Sequence, residues 1–124
     1  MITIDYQSRA PLYEQIVEKF QMLILTGALP PGSQMPSVRS LALELSINPN
    51  TIQKAFALLE QQGYIFPIKG KGSFVAENDR LIIQKRENCL LKLEALLRHA
   101  REIGVPKADC TALLTRIYHQ EVAL

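Results

Sequence analysis

At 124 residues and 48% apolar content, the chain has the length and composition of one folded domain, or one with a small appendage, and not of a disordered segment. A net charge of +2 is no argument for nucleic acid by itself, so the distribution of charge has to decide. No apolar run approaches a membrane span, and the N-terminus lacks a basic region followed by an apolar core, so a cytoplasmic protein without membrane association is expected.

The opening MITIDYQSRA alternates at Ile2 and Ile4 and reads as a short extended arm. Pro11 suits the first turn of a helix. Leu12, Ile16, Val17, Phe20, Leu23 and Ile24 then recur at three- and four-residue intervals, which predicts a helix to about Thr26, stopped by Gly27. The three prolines and one glycine of ALPPGSQMP exclude regular helix. Ser37 reads as the N-cap of a short helix, VRSLALEL, buried through Val38, Leu41, Ala42 and Leu45. After a brief turn at Ser46 and Ile47, Asn48 caps the next helix, Pro49 fits its first position and Gly63 closes it. Two helices joined so tightly form a helix-turn-helix, whose second helix reads the major groove.

At about 100° per residue, Ile52, Ala55, Phe56 and Leu59 share one face of that second helix. Asn50, Gln53, Lys54 and Ala57 share the opposite face, with Thr51 at its flank. Asn and Gln can make paired hydrogen bonds to a base edge, and Thr and Ala can touch a thymine methyl. Charge distribution agrees with this reading. Before residue 77 the bases are Arg9, Lys19, Arg39, Lys54, Lys69 and Lys71, and four of these six lie between 39 and 71. The acids within that stretch, Glu44 and Glu60, fall away from the Asn50 face or in another helix.

Tyr64-Ile65-Phe66 and Ser73-Phe74-Val75 read as short strands around PIKGKG, a hairpin that beside a helix-turn-helix forms a wing. Gly70 and Gly72 let backbone approach a phosphate or minor groove, while Lys69 and Lys71 supply charge. In isolation such a loop is equally well a solvated turn; its place after the reading helix favours DNA.

Beyond Ala76 the character changes. Asp79 is the expected cap of a long helix running to Ile103, ended by Gly104 and Pro106. Ile82, Cys89, Leu93, Leu96, Ala100 and Ile103 trace a seam along it, widened by Leu90 and Leu97. A second helix from about Pro106 to Gln120 carries Cys110, Leu113, Leu114, Ile117 and Tyr118 on one side. Such a tail is too small to enclose a ligand, and its apolar surface needs something to pack on. A second copy is the simplest partner; folding back on the head is the alternative. Cys89 and Cys110, on apolar stripes and without C-x-x-C spacing, are expected as reduced core residues, and His99 and His119 as surface residues. No metal or cofactor is expected. No Ser/His/Asp set, catalytic carboxylate pair or H-E-x-x-H appears, and Gly70-Lys71-Gly72-Ser73 does not satisfy the phosphate-loop pattern, so no enzyme is expected.

The run PLYEQIVEKFQMLILTGALPPGSQMPSVRSLALELSINPNTIQKAFALLEQQGYIFPIKGKGSFVA, residues 11 to 76, resembles the winged helix-turn-helix head of GntR-type bacterial transcription regulators. The opening ID-x-x-S-x-x-PLYEQI, the NPNT of the reading helix and the short helical tail resemble the YtrA subfamily. The resemblance implies that Arg39 contacts DNA from the first helix of the pair. It implies that Asn50, Thr51 and Gln53 meet bases and phosphates, with Lys54 following on the same face, and that Lys69 and Gly70 form a wing tip entering the minor groove. Pro49 and Gln53 stand where other branches carry arginine, and Pro67-Ile68 makes this wing less basic than many, so their sequence preference does not transfer. Regulators of this subfamily often accompany transporter genes, which makes a transporter operon the expected target.

The fold expected is mainly α with a small β-hairpin: a winged helix-turn-helix over residues 1–76 and a two-helix dimerisation tail over 77–124. The function expected is a sequence-specific DNA-binding regulator, a repressor that binds a palindromic operator in double-stranded DNA as a homodimer. DNA binding is assigned to Arg39, Asn50, Thr51, Gln53, Lys54, Lys69, Gly70 and Lys71. Dimerisation is assigned to Ile82, Cys89, Leu93, Leu96, Ala100 and Ile103. A small-molecule effector has no identifying residues; its expected place is the groove between head and tail or the dimer seam, near Leu97 and Tyr118. The alternative function is a protein-interaction adaptor that uses the winged-helix surface without DNA.

Overall fold

The apolar periodicity that begins at Leu12 folds as helix α1, Leu12–Leu25. It buries Ile16, Val17, Phe20 and Ile24, and Gly27 follows it at a positive φ of 85°. Residues 2–120 are described by this computed structural model, with five helices and one hairpin among them; residues 121–124 of the expected tail lie outside the described residues. The chain divides into two units, Met1–Ile82 and Ile83–Leu124.

In the first unit, α2 (Val38–Leu45) and α3 (Pro49–Gln61) form the helix-turn-helix. Both starts are capped as their sequences require. The Ser40 N–H donates to the Ser37 hydroxyl at 3.0 Å, and the Asn50 N–H to Asn48 Oδ1 at 2.9 Å, satisfying donors that a helix start leaves free. The connection turns at Ser46, whose φ of 54° is left-handed, and the Ile47 N–H returns to the Ala42 carbonyl at 3.0 Å. Ile47 is thereby buried, and α3 leaves in a new direction.

Strands β1 (Ile65–Ile68) and β2 (Gly72–Val75) pair antiparallel in the register Ile65↔Val75, Phe66↔Phe74, Pro67↔Ser73 and Ile68↔Gly72. The ladder thus runs beyond the expected strand ends. β1 has a single neighbour, and an edge strand tolerates a proline because its missing N–H costs only one possible bond. On the other side of β2, the segment at 32–35 acts as a rudimentary third strand: Gln34 bridges Phe74, the Met35 N–H donates to the Ser73 carbonyl and the Val75 N–H to the Ser33 carbonyl, each at 2.8 Å.

One core joins these elements. Ile16, Phe20 and Ile24 of α1, Leu41 of α2, Ile52, Phe56 and Leu59 of α3, and Tyr64 and Val75 of the wing are all buried within it. The N-terminal arm is stapled to it by Gln15, a buried polar residue. Its Oε1 accepts the Asp5 N–H at 2.9 Å, and its Nε2 donates to the carbonyls of Asp5 and Ala10 at 3.0 and 3.1 Å. Both amide donors and one acceptor lone pair are thus satisfied, which makes burying the amide tolerable. Ile2 is buried as a result.

Helix α4 runs from Asp79 to Glu102. The carbonyl that accepts the Ile82 N–H at its start belongs to Asn78, so Asn78 holds the cap position expected for Asp79, which instead opens the first turn, where its carboxylate suits the helix dipole. The second unit holds the remainder of α4 and α5, Lys107–His119. Gly104, at a φ of 86°, separates them, and the Val105 N–H closes on the Ala100 carbonyl at 2.9 Å. No described residue of this unit is buried. Leu90, Leu93, Leu96, Leu97, Ile103, Leu113, Leu114 and Ile117 are all exposed, and Tyr118 is 82% exposed.

The cysteine expectation therefore needs correction. Both thiols are free, but Cys89 is exposed and Cys110 half-buried. Periodicity locates an apolar face, but none of the described residues on it is buried. His99 and His119 are exposed, as expected.

Candidate nucleic-acid interface

Helix α3 presents two chemically distinct faces. Ile52, Ala55, Phe56 and Leu59 are buried, whereas Asn50, Gln53, Lys54 and Ala57 are exposed and Thr51 is half-buried. Thirteen residues make a rod of about 20 Å. Helix α1 backs the buried face: Phe20 meets Phe56 edge-to-face, with ring centroids 5.8 Å apart, and Gln21 Nε2 donates to Gln62 Oε1 at 2.7 Å beyond the end of α3.

Arg39 projects from α2 as an exposed residue, and neither it nor Lys69 or Lys71 has an ion-pair partner among the described residues. Their charges are not neutralised by any described side chain. The wing tip is a reverse turn closed by the Lys71 N–H on the Ile68 carbonyl at 2.9 Å. Gly70, its third residue, has a φ of 78°, the conformation a type II turn assigns to glycine. Lys69, Gly70 and Lys71 are all exposed there.

Lys54 differs from the other cations. Its Nζ lies 3.9 Å from the centroid of the Tyr13 ring, a cation–π contact with the first turn of α1. Tyr13 itself is half-buried, and its hydroxyl donates to Glu14 Oε1 at 3.3 Å. No spacing rule connects residue 13 to residue 54; the packing of α1 on α3 does. Gln34 is a second residue whose contact no local pattern signals. Its Nε2 donates to the Lys71 carbonyl at 2.8 Å, from a segment whose prolines mark it only as non-helical.

The six seam residues fall in different settings. Ile82 is half-buried and belongs to the first unit; Cys89, Leu93, Leu96 and Ile103 are exposed, and Ala100 is half-buried. Among the described residues no group of His, Cys, Asp or Glu could hold a metal ion, and no helix is long and apolar enough to cross a membrane.

Comparison with known proteins gives this geometry its context. Residues 12–75 match the family model described as bacterial regulatory proteins, gntR family. The chain is 38% identical to the HTH-type transcriptional repressor YtrA of Bacillus subtilis over 107 residues, covering 85% of this chain and 82% of that protein. A GntR family transcriptional regulator from Listeria monocytogenes has the same fold, with a TM-score of 0.74 at 32% identity over 90% of this chain and 98% of that one. The structure of AraR(DBD) in complex with operator ORR3 matches with a TM-score of 0.53 at 28% identity, over 61% of this chain and 92% of that one. A two-helix tail after a winged helix-turn-helix, and relatives that are regulators and not enzymes, lead to one assignment: this chain is a DNA-binding transcriptional regulator and belongs to the GntR family.

Proposed function

We propose that the chain is a cytoplasmic repressor that binds a palindromic operator as a homodimer. The observation that carries this reading is the division of α3 into a buried apolar face and an exposed Asn50/Gln53/Lys54 face, flanked in sequence by Arg39 and the Lys69–Lys71 wing. Gln53 reads a base edge, with Asn50 and Thr51 beside it setting the helix in the groove. Arg39, Lys54, Lys69 and Lys71 contact phosphate, and Gly70 lets the wing backbone approach the minor groove. Similarity to the YtrA repressor and to AraR(DBD) with its operator favours repression by occupying DNA.

The homodimer rests on the tail. Leu93 and Leu96, 44% and 63% exposed, are part of an apolar seam with no buried described residue. Monomers rarely leave so continuous an apolar surface in water. A second copy supplies an identical seam, and two-fold pairing of the heads calls for an inverted repeat with half-sites about one helical turn apart.

Selection from a random duplex pool by the full chain, with sedimentation of the complex, tests both parts. The expected result is an enriched inverted repeat bound by a dimer, and a Leu96→Glu variant that sediments as a monomer and loses most of its affinity. Gln53→Ala is expected to cost about 1–3 kcal/mol on the selected site and far less on scrambled DNA. A wild-type monomer with no sequence preference at low salt overturns the reading; equal losses by Gln53→Ala on both DNAs remove its base-reading role.

A further inference from the structure

A two-stranded hairpin in water is marginally stable, so a wing that places cations on DNA needs support from outside its own two strands. Here that support comes from the segment before α2. The ladder from Ser33 and Met35 to β2 is made of backbone and accepts many side chains. The Gln34 side chain does something different: it extends past the ladder, and its Nε2 donates to the Lys71 carbonyl at 2.8 Å, inside the turn that carries Lys69 and Gly70. Gly72 makes room for it. A Cβ on Gly72 would lie 3.3 Å from Gln34 Nε2, and the Gly72 φ of 111° suits no other residue well.

From this geometry we propose that Gln34 is a positioning residue for DNA binding: it fixes the wing tip so that Lys69 and Lys71 are held in place before DNA arrives. Because Gln34 lies only a few residues ahead of Ser37, which caps the helix bearing Arg39, it also ties the tip of the wing to the start of α2. Holding the tip lowers the ordering cost otherwise charged to binding. The inference rests on the reading that the wing contacts DNA, and its test separates the two.

The perturbation is Gln34→Met, which keeps the chain length and removes the donor. Affinity for the selected operator is measured in four full-length proteins: wild type, Gln34→Met, the Lys69→Ala/Lys71→Ala pair, and the triple variant. Melting temperatures confirm that each is folded. The expected result is a loss of about three- to tenfold for Gln34→Met, the scale of one hydrogen bond, which vanishes when both lysines are already absent. Amide exchange at Lys71 and Gly72 is expected to quicken in Gln34→Met. If the loss is the same with and without the lysines, Gln34 touches DNA itself and the positioning role is overturned. If the lysine pair weakens binding while Gln34→Met does not, the inference also falls. If removing both lysines has no effect, it is the wing reading that fails, and the inference goes with it.

Discussion

Replacing Tyr13 by leucine removes the ring beneath Lys54 while keeping an apolar side chain of similar reach on α1. Lys54 Nζ sits 3.9 Å from the ring centroid, Lys54 is exposed and Tyr13 half-buried, so the contact belongs at the weak, solvated end of cation–π interactions, about 0.5–1 kcal/mol. An ammonium seated on a ring still has N–H donors directed away from it, so the contact restrains the lysine without consuming its capacity for phosphate. If DNA receives the lysine in this pose, the ring's stabilisation carries into the complex as reduced ordering cost. At 1.36 kcal/mol per tenfold, Tyr13→Leu should weaken operator binding about two- to fivefold. Tyr13→Phe keeps the ring and should bind like wild type. Fluorescence anisotropy across a salt series is the assay, because a restrained but retained phosphate contact changes affinity at every salt concentration and leaves the slope nearly intact. Tighter binding by Tyr13→Leu would show that the ring sequesters Lys54 from DNA. Equal loss in Tyr13→Phe would place the effect in the hydroxyl. Either result refutes the restraint argument.

Ser46→Gly should raise the melting temperature, stabilising the head by up to about 1 kcal/mol, because Ser46 holds a φ of 54° that a Cβ disfavours; calorimetry showing destabilisation would mean that its side chain makes an essential contact. Tyr64 is 2% exposed, its hydroxyl finds no partner among the described residues, and burial raises its pKa above 10.0. The folded state therefore favours the neutral phenol: its contribution is intact below pH 10 and is lost as pH rises through the folded pKa. Tyr64→Phe should be neutral or stabilising at pH 7 and should lose less stability above pH 10 in urea titrations; parallel alkaline loss in both proteins would contradict the burial argument.

The helix-turn-helix was legible because its sequence is punctuated at both ends. Asn48-Pro49 and Gly63 bracket α3, Ser37 opens α2, and the 3.6-residue period sorts Ile52, Ala55, Phe56 and Leu59 from Asn50 and Gln53. The extra strand at 32–35 was not legible, since Pro30, Pro31 and Pro36 mask a pairing only a few bonds long. Tyr13 on Lys54 and Gln34 on Lys71 are tertiary contacts between elements remote in sequence, which no local pattern encodes. At the cysteines the limit is narrower: an apolar period locates a face but does not say what lies against it, and the stripe bearing Cys89 is exposed in the single chain.

The less legible contacts have one physical property in common: they join elements remote in sequence, and two of them, Tyr13 on Lys54 and Gln34 on Lys71, reach residues that the proposed function would set against DNA. Tyr13, Phe20 and Gln21 of α1 meet Lys54, Phe56 and Gln62, so contacts from one helix follow the reading helix from its first half to its end. A helix held along its length from behind keeps its tilt when its front is loaded. On the proposed reading this would lower the backbone ordering left to binding. If α3 reads DNA as proposed, weakening one backing contact would shift the angle at which Asn50, Gln53 and Lys54 arrive together, without deleting any of them. Substitutions in α1 should consequently reduce affinity with little change in which sequence is preferred, whereas substitutions at Gln53 should change the preference itself. On the proposed reading Gln34 would serve the wing as α1 serves α3, and DNA affinity in a head with so few cations would depend in part on residues that never reach a phosphate.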